Sequence, residues 1–220
     1  MTPSSDFAAA REAMIERQLR RRGIVEQPIL DAFRAVPREE FVDSDQRHLA
    51  YGDHPLPIEA GQTISQPYIV ALMIQAAGIT IGSKVLEVGA GSGYAAAVIG
   101  RIASRVIGIE RHHALAEVAR QRMRRLGYDN VEIVEGDGTK GWPEEAPYDA
   151  ILAAASGSHV PKALIDQLAP GGSIVMPIGD PAWTQNLVKV RMRADGTLEQ
   201  WDLGGVRFVP LIGEEGWSVG

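Results

Sequence analysis

Residues 85–94 read Val-Leu-Glu-Val-Gly-Ala-Gly-Ser-Gly-Tyr, a short apolar run that breaks into three closely spaced glycines and then enters an alanine-rich stretch. Strand, glycine turn and helix in that order let a backbone approach a ligand closely and set a helix N-terminus beside it. One glycine suffices to turn a chain; three imply that something sits on the turn. In the dinucleotide-binding fingerprint a Gly or Ala stands five positions after the first glycine, where helix and strand must pack tightly. Here Tyr94 stands there, so the spacing disfavours a nicotinamide or flavin dinucleotide.

The alternation after Ser83 extends this unit. Apolar runs at 84–88, 105–110, 131–135, 149–153 and 173–176 predict strands, and patterns near 93–103, 112–126 and 160–168 predict helices between them. Short apolar strands alternating with helices form mostly parallel sheets covered on both faces. Residues 187–192, Asp195-Gly196 and 198–201 then read as strand, tight turn and strand, a closing antiparallel hairpin. Upstream, Phe7, Met14, Ile15 and Leu19 recur at helical spacing until Gly23, and Pro28 suits the first turn of a helix over 27–35. Residues 36–66 lose periodicity but keep Phe41, Leu49, Tyr51, Leu56 and Ile58, which predicts an ordered loop covering a site. The chain therefore reads as one domain over 1–220, with a helical and loop cap at 1–83, a binding core at 84–179 and completing strands at 180–220.

Composition narrows the function. A net charge of -6 argues against a broad nucleic-acid footprint, and the basic run at 17–22, with four arginines and no interleaved aromatics, reads as a solvated helix face. There is no cysteine, so disulfides, thiolate metal sites and cysteine nucleophiles are excluded together. Acidic residues near the start and the lack of a basic-then-apolar opening point to a cytoplasmic protein. The uncharged stretch 60–83 is strongly apolar only over 68–77, short of the roughly 20 residues a membrane span requires, and reads as a loop followed by a buried helix.

Two further stretches fall at predicted strand ends, where open α/β sheets bind their ligands. Glu110 closes the second strand and is placed to accept hydrogen bonds from both ribose hydroxyls of an adenosine. Gly136-Asp137-Gly138 follows the third strand, with Asp137 positioned to accept from the exocyclic amine of an adenine. Together with VLEVGAGSGY, VIGIER, YDAILAAA and LAPGG, these stretches resemble the class I methyltransferases, which use S-adenosylmethionine. The resemblance implies a doubly wound, mostly parallel Rossmann-like sheet, and a cofactor site at Glu87, Gly89, Ala90, Gly91, Gly93, Glu110, Asp137 and Gly138. It leaves the methyl acceptor open.

Some acceptors fail on residues alone. Attack on C5 of a pyrimidine needs a cysteine, and amino-methylation of adenine leads one to expect Asn-Pro-Pro-Tyr or Asp-Pro-Pro-Tyr where Ala153-Ala154-Ala155-Ser156 stands. A metal-assisted catechol-type site needs a carboxylate cluster near the same point, so no metal is expected. The segment ahead of the core is more specific. MIERQLRRRGI, AVPREEFV, YGDHPLPI and GQTISQP, with RFVPL near the end, closely resemble the protein-L-isoaspartate (D-aspartate) O-methyltransferases from Met14 to about Gly213.

That resemblance implies an acceptor that is the free α-carboxylate of an L-isoaspartyl or D-aspartyl residue in damaged proteins and peptides. Ser65 matches the family's active-site serine and would hydrogen-bond this carboxylate; Thr63, Ile64 and Gln66 would shape the same loop, and Val209 and Pro210 the peptide groove. An acceptor with a pKa of about 3.5 is already an anion at neutral pH and needs no strong base. The chain departs from the family pattern at Ser156-Gly157-Ser158-His159 and at Ile212, which bears on peptide preference. The final strands are expected in an order unlike that of most class I methyltransferases.

Overall fold

The computed structural model describes residues 3–218. Helix α1 (Pro3–Met14) runs on through a π-helical turn at Ile15–Leu19 and a 3-10 turn at Arg20–Arg22, and ends at Gly23 with φ 90°. Met14, Ile15 and Leu19 are buried while Arg17, Arg20, Arg21 and Arg22 are exposed, as a solvated basic face requires. Helix α2 (Gln27–Ala35) carries Pro28 in its first turn and buries Ile29, Leu30 and Phe33.

The unpatterned stretch 36–66 is ordered by short 3-10 turns and by a small antiparallel ribbon, β1 (Leu56–Pro57) with β2 (Thr63–Ile64). Alternation cannot reveal strands of two residues. The ribbon tip turns through Ala60 at φ 57° and Gly61 at φ 66°. Helix α3 (Pro67–Ala77), the buried helix expected after the loop, follows with Pro67 in its first turn.

Strand β3 (Lys84–Val88), helix α4 (Tyr94–Gly100), strand β4 (Arg105–Glu110), helix α5 (His113–Leu126) and strand β5 (Val131–Glu135) lie where the apolar periodicity predicts them. Strand β6 (Tyr148–Ala153) and the short helix α6 (Lys162–Asp166) come next. Strand β7 (Leu168–Ile178) begins well before the predicted 173, at the expense of the predicted helix 160–168. The reason is a bulge: Tyr148 pairs with Leu168 and Ala150 with Ser173, so Ala169–Gly172 loops out against one residue of β6. Strands β8 (Gln185–Met192) and β9 (Leu198–Val206) form the expected hairpin.

The seven large strands pair in the order β5-β4-β3-β6-β7-β8-β9, parallel as far as β7 and antiparallel beyond it. The last three strands thus follow one another in chain order, a meander that leaves β9 at the edge. Alternate residues feed two cores: Val85, Val106, Ala150 and Leu152 join the cap helices on one face, and Leu86, Ile107, Ile151 and Ile174 face α6 and the C-terminal segment on the other. The cap seats on the core through Phe33 and Phe41, which meet the Tyr94 ring edge-on at 6.2 and 5.4 Å. Such aromatic contacts add about 0.5–1.5 kcal/mol each beyond burial. The order of strands leaves a crevice at the C-terminal ends of β3, β4 and β6, where the chain direction of winding reverses.

Candidate active site

A cavity of about 320 Å³ fills that crevice. Its floor is the glycine turn after β3. Gly89 and Gly91 have φ of 84° and 53°, a region other residues enter only with strain, and a side chain on Gly91 would press on Ile58 at 3.4 Å. The N–H groups of the turn are already committed: Gly89 and Ala90 donate to the Ile109 carbonyl, both at 2.9 Å, and Gly91 donates to Glu110 Oε2 at 2.9 Å. The turn therefore offers close approach of bare backbone in place of a phosphate cradle.

Two carboxylates reinforce this. Glu110 ends β4 with Oε1 accepting from His112 N at 2.9 Å, so it ties the glycine turn to the start of α5. Glu87 points into the same cavity, fully buried, with Oε2 lacking any hydrogen-bond partner among the described residues. Burial, and after it the charge of Glu110, pushes the Glu87 carboxyl up to about 8. The Glu110 carboxylate repels phosphate and accepts hydroxyls, and a cation beside Glu87 would favour its ionised form. A ribose diol and the cationic sulfonium and ammonium of S-adenosylmethionine suit these residues, with Glu110 free to accept further hydrogen bonds and Glu87 an unsatisfied acceptor beside it.

The opposite wall comes from the cap. Thr63, Ile64 and Ser65 line the cavity from β2 and the link to α3. Ser65 is half-buried, and the residue that precedes α3 is Gln66, which makes no side-chain cap. The Ser65 hydroxyl is thus not spent on capping the helix. Its carbonyl is held by Arg38 Nη2 at 2.8 Å. Val209 and Pro210 complete the wall from the C-terminal segment, which docks through Ser156: Ser156 N donates to the Val209 carbonyl and Leu211 N to the Ser156 carbonyl, both at 2.8 Å. Trp217 Nε1 adds a bond to the same carbonyl at 2.8 Å. In the Ser156–His159 turn, then, it is the backbone of a buried Ser156 that holds the roof, while Ser158 and His159 stay exposed. Ile212 lines the cavity as well.

Glu87, Gly89, Ala90, Gly91, Glu110, Gly138, Thr63, Ile64, Ser65, Val209 and Pro210 all meet around this one space. Three of the expected residues do not. Gly93 precedes α4 at φ 84°, and a Cβ there would lie 3.0 Å from Met123 Cε and 3.4 Å from Ala119 Cβ, so it serves helix packing against α5. Gln66 turns its amide to Asp53, donating to Oδ1 at 2.7 Å. Asp137 accepts from Thr139 N at 2.9 Å, Thr139 Oγ1 at 2.7 Å and Glu214 N at 2.9 Å, which ties it to its own turn and to the C-terminal segment. Burial alone would raise the Asp137 pKa; the bonds from Glu214 and Thr139 outweigh it and hold the carboxyl below its usual range. It lines a neighbouring space of about 420 Å³ with Arg111, Ile212 and Trp217.

Other lining residues have no sequence signal of their own. Val70 and Met73 reach the cavity because of how α3 packs, and Ala154 and Ala155 because β6 ends there. Arg111 and His112 directly follow Glu110, so the strand-end rule carried two residues further finds them; His112 is half-buried. His113 is exposed and paired with Glu135 at 2.6 Å. Among the described residues no group of three or more His, Asp or Glu is placed to hold a metal.

A doubly wound sheet whose glycine turn faces carboxylates at the strand ends defines a class I methyltransferase, and the solved structures agree. The chain covers 93% of its length on a protein-L-isoaspartate O-methyltransferase with a TM-score of 0.85 and 32% identity, spanning 66% of that longer chain. A Plasmodium falciparum structure given the same enzyme name, in complex with S-adenosyl-L-homocysteine, matches with a TM-score of 0.78 and 28% identity over 94% of this chain and 98% of that one. The sequence profile of protein-L-isoaspartate (D-aspartate) O-methyltransferases matches residues 9–216, and this chain belongs to that family. Among curated relatives, protein-L-isoaspartate O-methyltransferase 2 of Pelobacter propionicus is 56% identical over 94% of this chain and 92% of its own length.

Proposed function

We propose that the chain transfers a methyl group from S-adenosylmethionine to the free α-carboxylate of L-isoaspartyl and D-aspartyl residues in damaged proteins and peptides. The reading rests on one observation above others: Ser65, on the loop that resembles the family's acceptor signature, lines the same cavity as the glycine turn and Glu110. Family membership and the Pelobacter propionicus relative support the same acceptor.

The bound cofactor supplies an electrophilic methyl on a sulfonium. The work left to the protein is alignment and exclusion of water, because the acceptor is already an anion. Glu110, held by two backbone N–H groups, is rigid and presents its remaining lone pairs to the ribose. Glu87 would face the cationic end of the cofactor, whose charge would favour the ionised carboxylate. Gly138 lies against Val88 at the floor, and its lack of a side chain keeps the backbone close. Ser65 donates its hydroxyl to the acceptor carboxylate and orients one oxygen without acting as a nucleophile. Thr63, Ile64, Val209 and Pro210 border the acceptor side, where backbone and small apolar contacts accept varied flanking residues.

The same reading treats residues 1–220 as one working unit, in which the cap chooses the acceptor and the core holds the cofactor. It places the enzyme in the cytoplasm, with no metal and no nucleic acid required. No described helix is long and apolar enough to cross a membrane. Transfer of a labelled methyl group to an isoaspartyl peptide, beside its aspartyl twin, tests the assignment. Labelling confined to the isoaspartyl peptide is expected, and equal labelling of both, or of neither, would refute it.

A further inference from the structure

Arg38 is one of the largest side chains in the fold with no solvent exposure, at 0%. Charged groups are buried this completely only when paired. Yet the adjacent Glu39 is engaged by Arg11 at 3.1 Å and by the Tyr51 hydroxyl, and no described carboxylate pairs with Arg38. Its Nε donates to the Ala50 carbonyl at 2.8 Å and its Nη2 to the Ser65 carbonyl at 2.8 Å. Its guanidinium lies 4.6 Å from the centre of the Tyr94 ring, and Nη1 has no hydrogen-bond partner among the described residues. Arginine keeps its charge even where burial opposes it.

The placement of its partners is what matters. Ser65 and Tyr94 both line the active-site cavity, Ser65 from the acceptor loop and Tyr94 as the first residue of α4, directly after the glycine turn. One guanidinium therefore spans the wall between the acceptor side and the cofactor side. The Glu110 carboxylate that lines the cavity repels an incoming carboxylate. A cation whose charge no carboxylate cancels stands behind Ser65, on the side where the acceptor is read to bind.

We propose that Arg38 is a positioning residue for the acceptor: it clamps the Ser65 carbonyl against the ring that opens α4, and it gives the Ser65 wall the positive potential that a carboxylate acceptor needs. This rests on the reading of the acceptor as a carboxylate. A purely structural role has a different signature: losing Arg38 leaves the Ala50 and Ser65 carbonyls without their donor, which lowers stability and weakens carboxylate and carboxamide peptides alike.

The test uses the full chain with Arg38→Met and Arg38→Lys. Three quantities are measured: KM and kcat for an isoaspartyl peptide, the inhibition constant of the same peptide carrying an α-carboxamide in place of the carboxylate, and the dissociation constant of S-adenosylhomocysteine by calorimetry. Arg38→Met is expected to raise the peptide KM about tenfold, the effect of one charge-assisted interaction. The carboxamide inhibition constant and the S-adenosylhomocysteine affinity should stay within about twofold of wild type. Arg38→Lys, which keeps the charge and loses the fork, should fall between. Equal weakening of carboxylate and carboxamide peptides, an unchanged KM, or loss of S-adenosylhomocysteine binding in step with KM would overturn the proposal. Should the Met variant not fold, the carboxylate-to-carboxamide ratio of the Lys variant decides by the same criterion. Wild-type protein that methylates no isoaspartyl peptide would overturn the acceptor reading itself and Arg38's role with it; active wild type with an unchanged ratio in the variants overturns only the role of Arg38.

Discussion

Glu87→Gln should make this fold more resistant to alkaline pH, by an amount the burial of Glu87 sets. The carboxyl is fully buried, and its pKa is pushed from an ordinary 4.5 to about 8 by desolvation first and by the charge of Glu110 second. The form the fold favours is therefore the protonated acid. Stability is unaffected by this group below pH 4.5, is lost by about 1.4 kcal/mol per pH unit as pH rises toward the folded pKa, and levels off above about 8. Integrated over that window, ionising Glu87 costs about 1 kcal/mol at roughly pH 5.5, about 3 at pH 7 and about 5 above pH 9. Gln has the same shape and no proton to lose. Its own hydrogen-bonding mismatch adds an offset that does not vary with pH. The stability difference, variant minus wild type, should rise by about 3–4 kcal/mol between pH 5.5 and 9, read from urea unfolding of cofactor-free protein at matched ionic strength. Parallel pH profiles, or a wild type that gains on the variant as pH rises, would show that Glu87 is ionised in the fold and that its buried position has been misjudged.

Three other substitutions probe the site. Ser65→Ala should lower methyl transfer to an isoaspartyl peptide by more than about tenfold, while S-adenosylhomocysteine binds within about twofold of wild type; a collapse of cofactor affinity instead would reassign Ser65 to the cofactor side. Glu110→Ala frees the N–H groups of Gly91 and His112 and should cost about 2 kcal/mol of stability, part of the loss being recovered by water from the cavity. It should also weaken S-adenosylmethionine binding in calorimetry, and an unchanged dissociation constant would contradict the ribose assignment. Gly138→Ala puts a methyl 2.5 Å from Val88 Cγ1, a branched side chain with little room to yield, and should cost about 1–3 kcal/mol in thermal or urea unfolding. Gly82→Ala, with nothing within 4 Å, is the control and should be close to neutral.

Much of this fold is written in the local pattern of the chain, and the core strands show why. β3 and β4 are short runs buried on both faces, and the edge strand β5 keeps Val131, Ile133 and Val134 buried; all three are bounded by glycines or charges, so their ends are visible without any knowledge of their neighbours. β7 was legible only in its regular part, because the bulge at Ala169–Gly172 exists to satisfy a register with β6 that no local rule encodes. The β1–β2 ribbon is too short for alternation to register, and it is stable only because the cap and the glycine turn lie against it. The site divides the same way. Glu110 and the glycine turn sit at strand ends, a place that sequence order alone identifies. Asp137 sits at a strand end too, but its carboxylate is claimed by Thr139 and by Glu214, a contact across the chain that sequence spacing cannot reveal.

Residue type and spacing along a few turns of chain specify the alternating sheet, the glycine turn at the end of β3, and the cap loop that resembles an isoaspartyl acceptor signature. Tertiary packing alone makes the cap, the glycine turn and the C-terminal segment enclose one cavity, and it spends the N–H groups of Gly89, Ala90 and Gly91 on Ile109 and Glu110. It also decided that a buried Arg38 with no described acid partner stands behind Ser65. These depend on which surfaces are brought together when the cap folds back onto the sheet, and burial, which fixes the charge state of Glu87 and the worth of Arg38, does not exist until that contact is made.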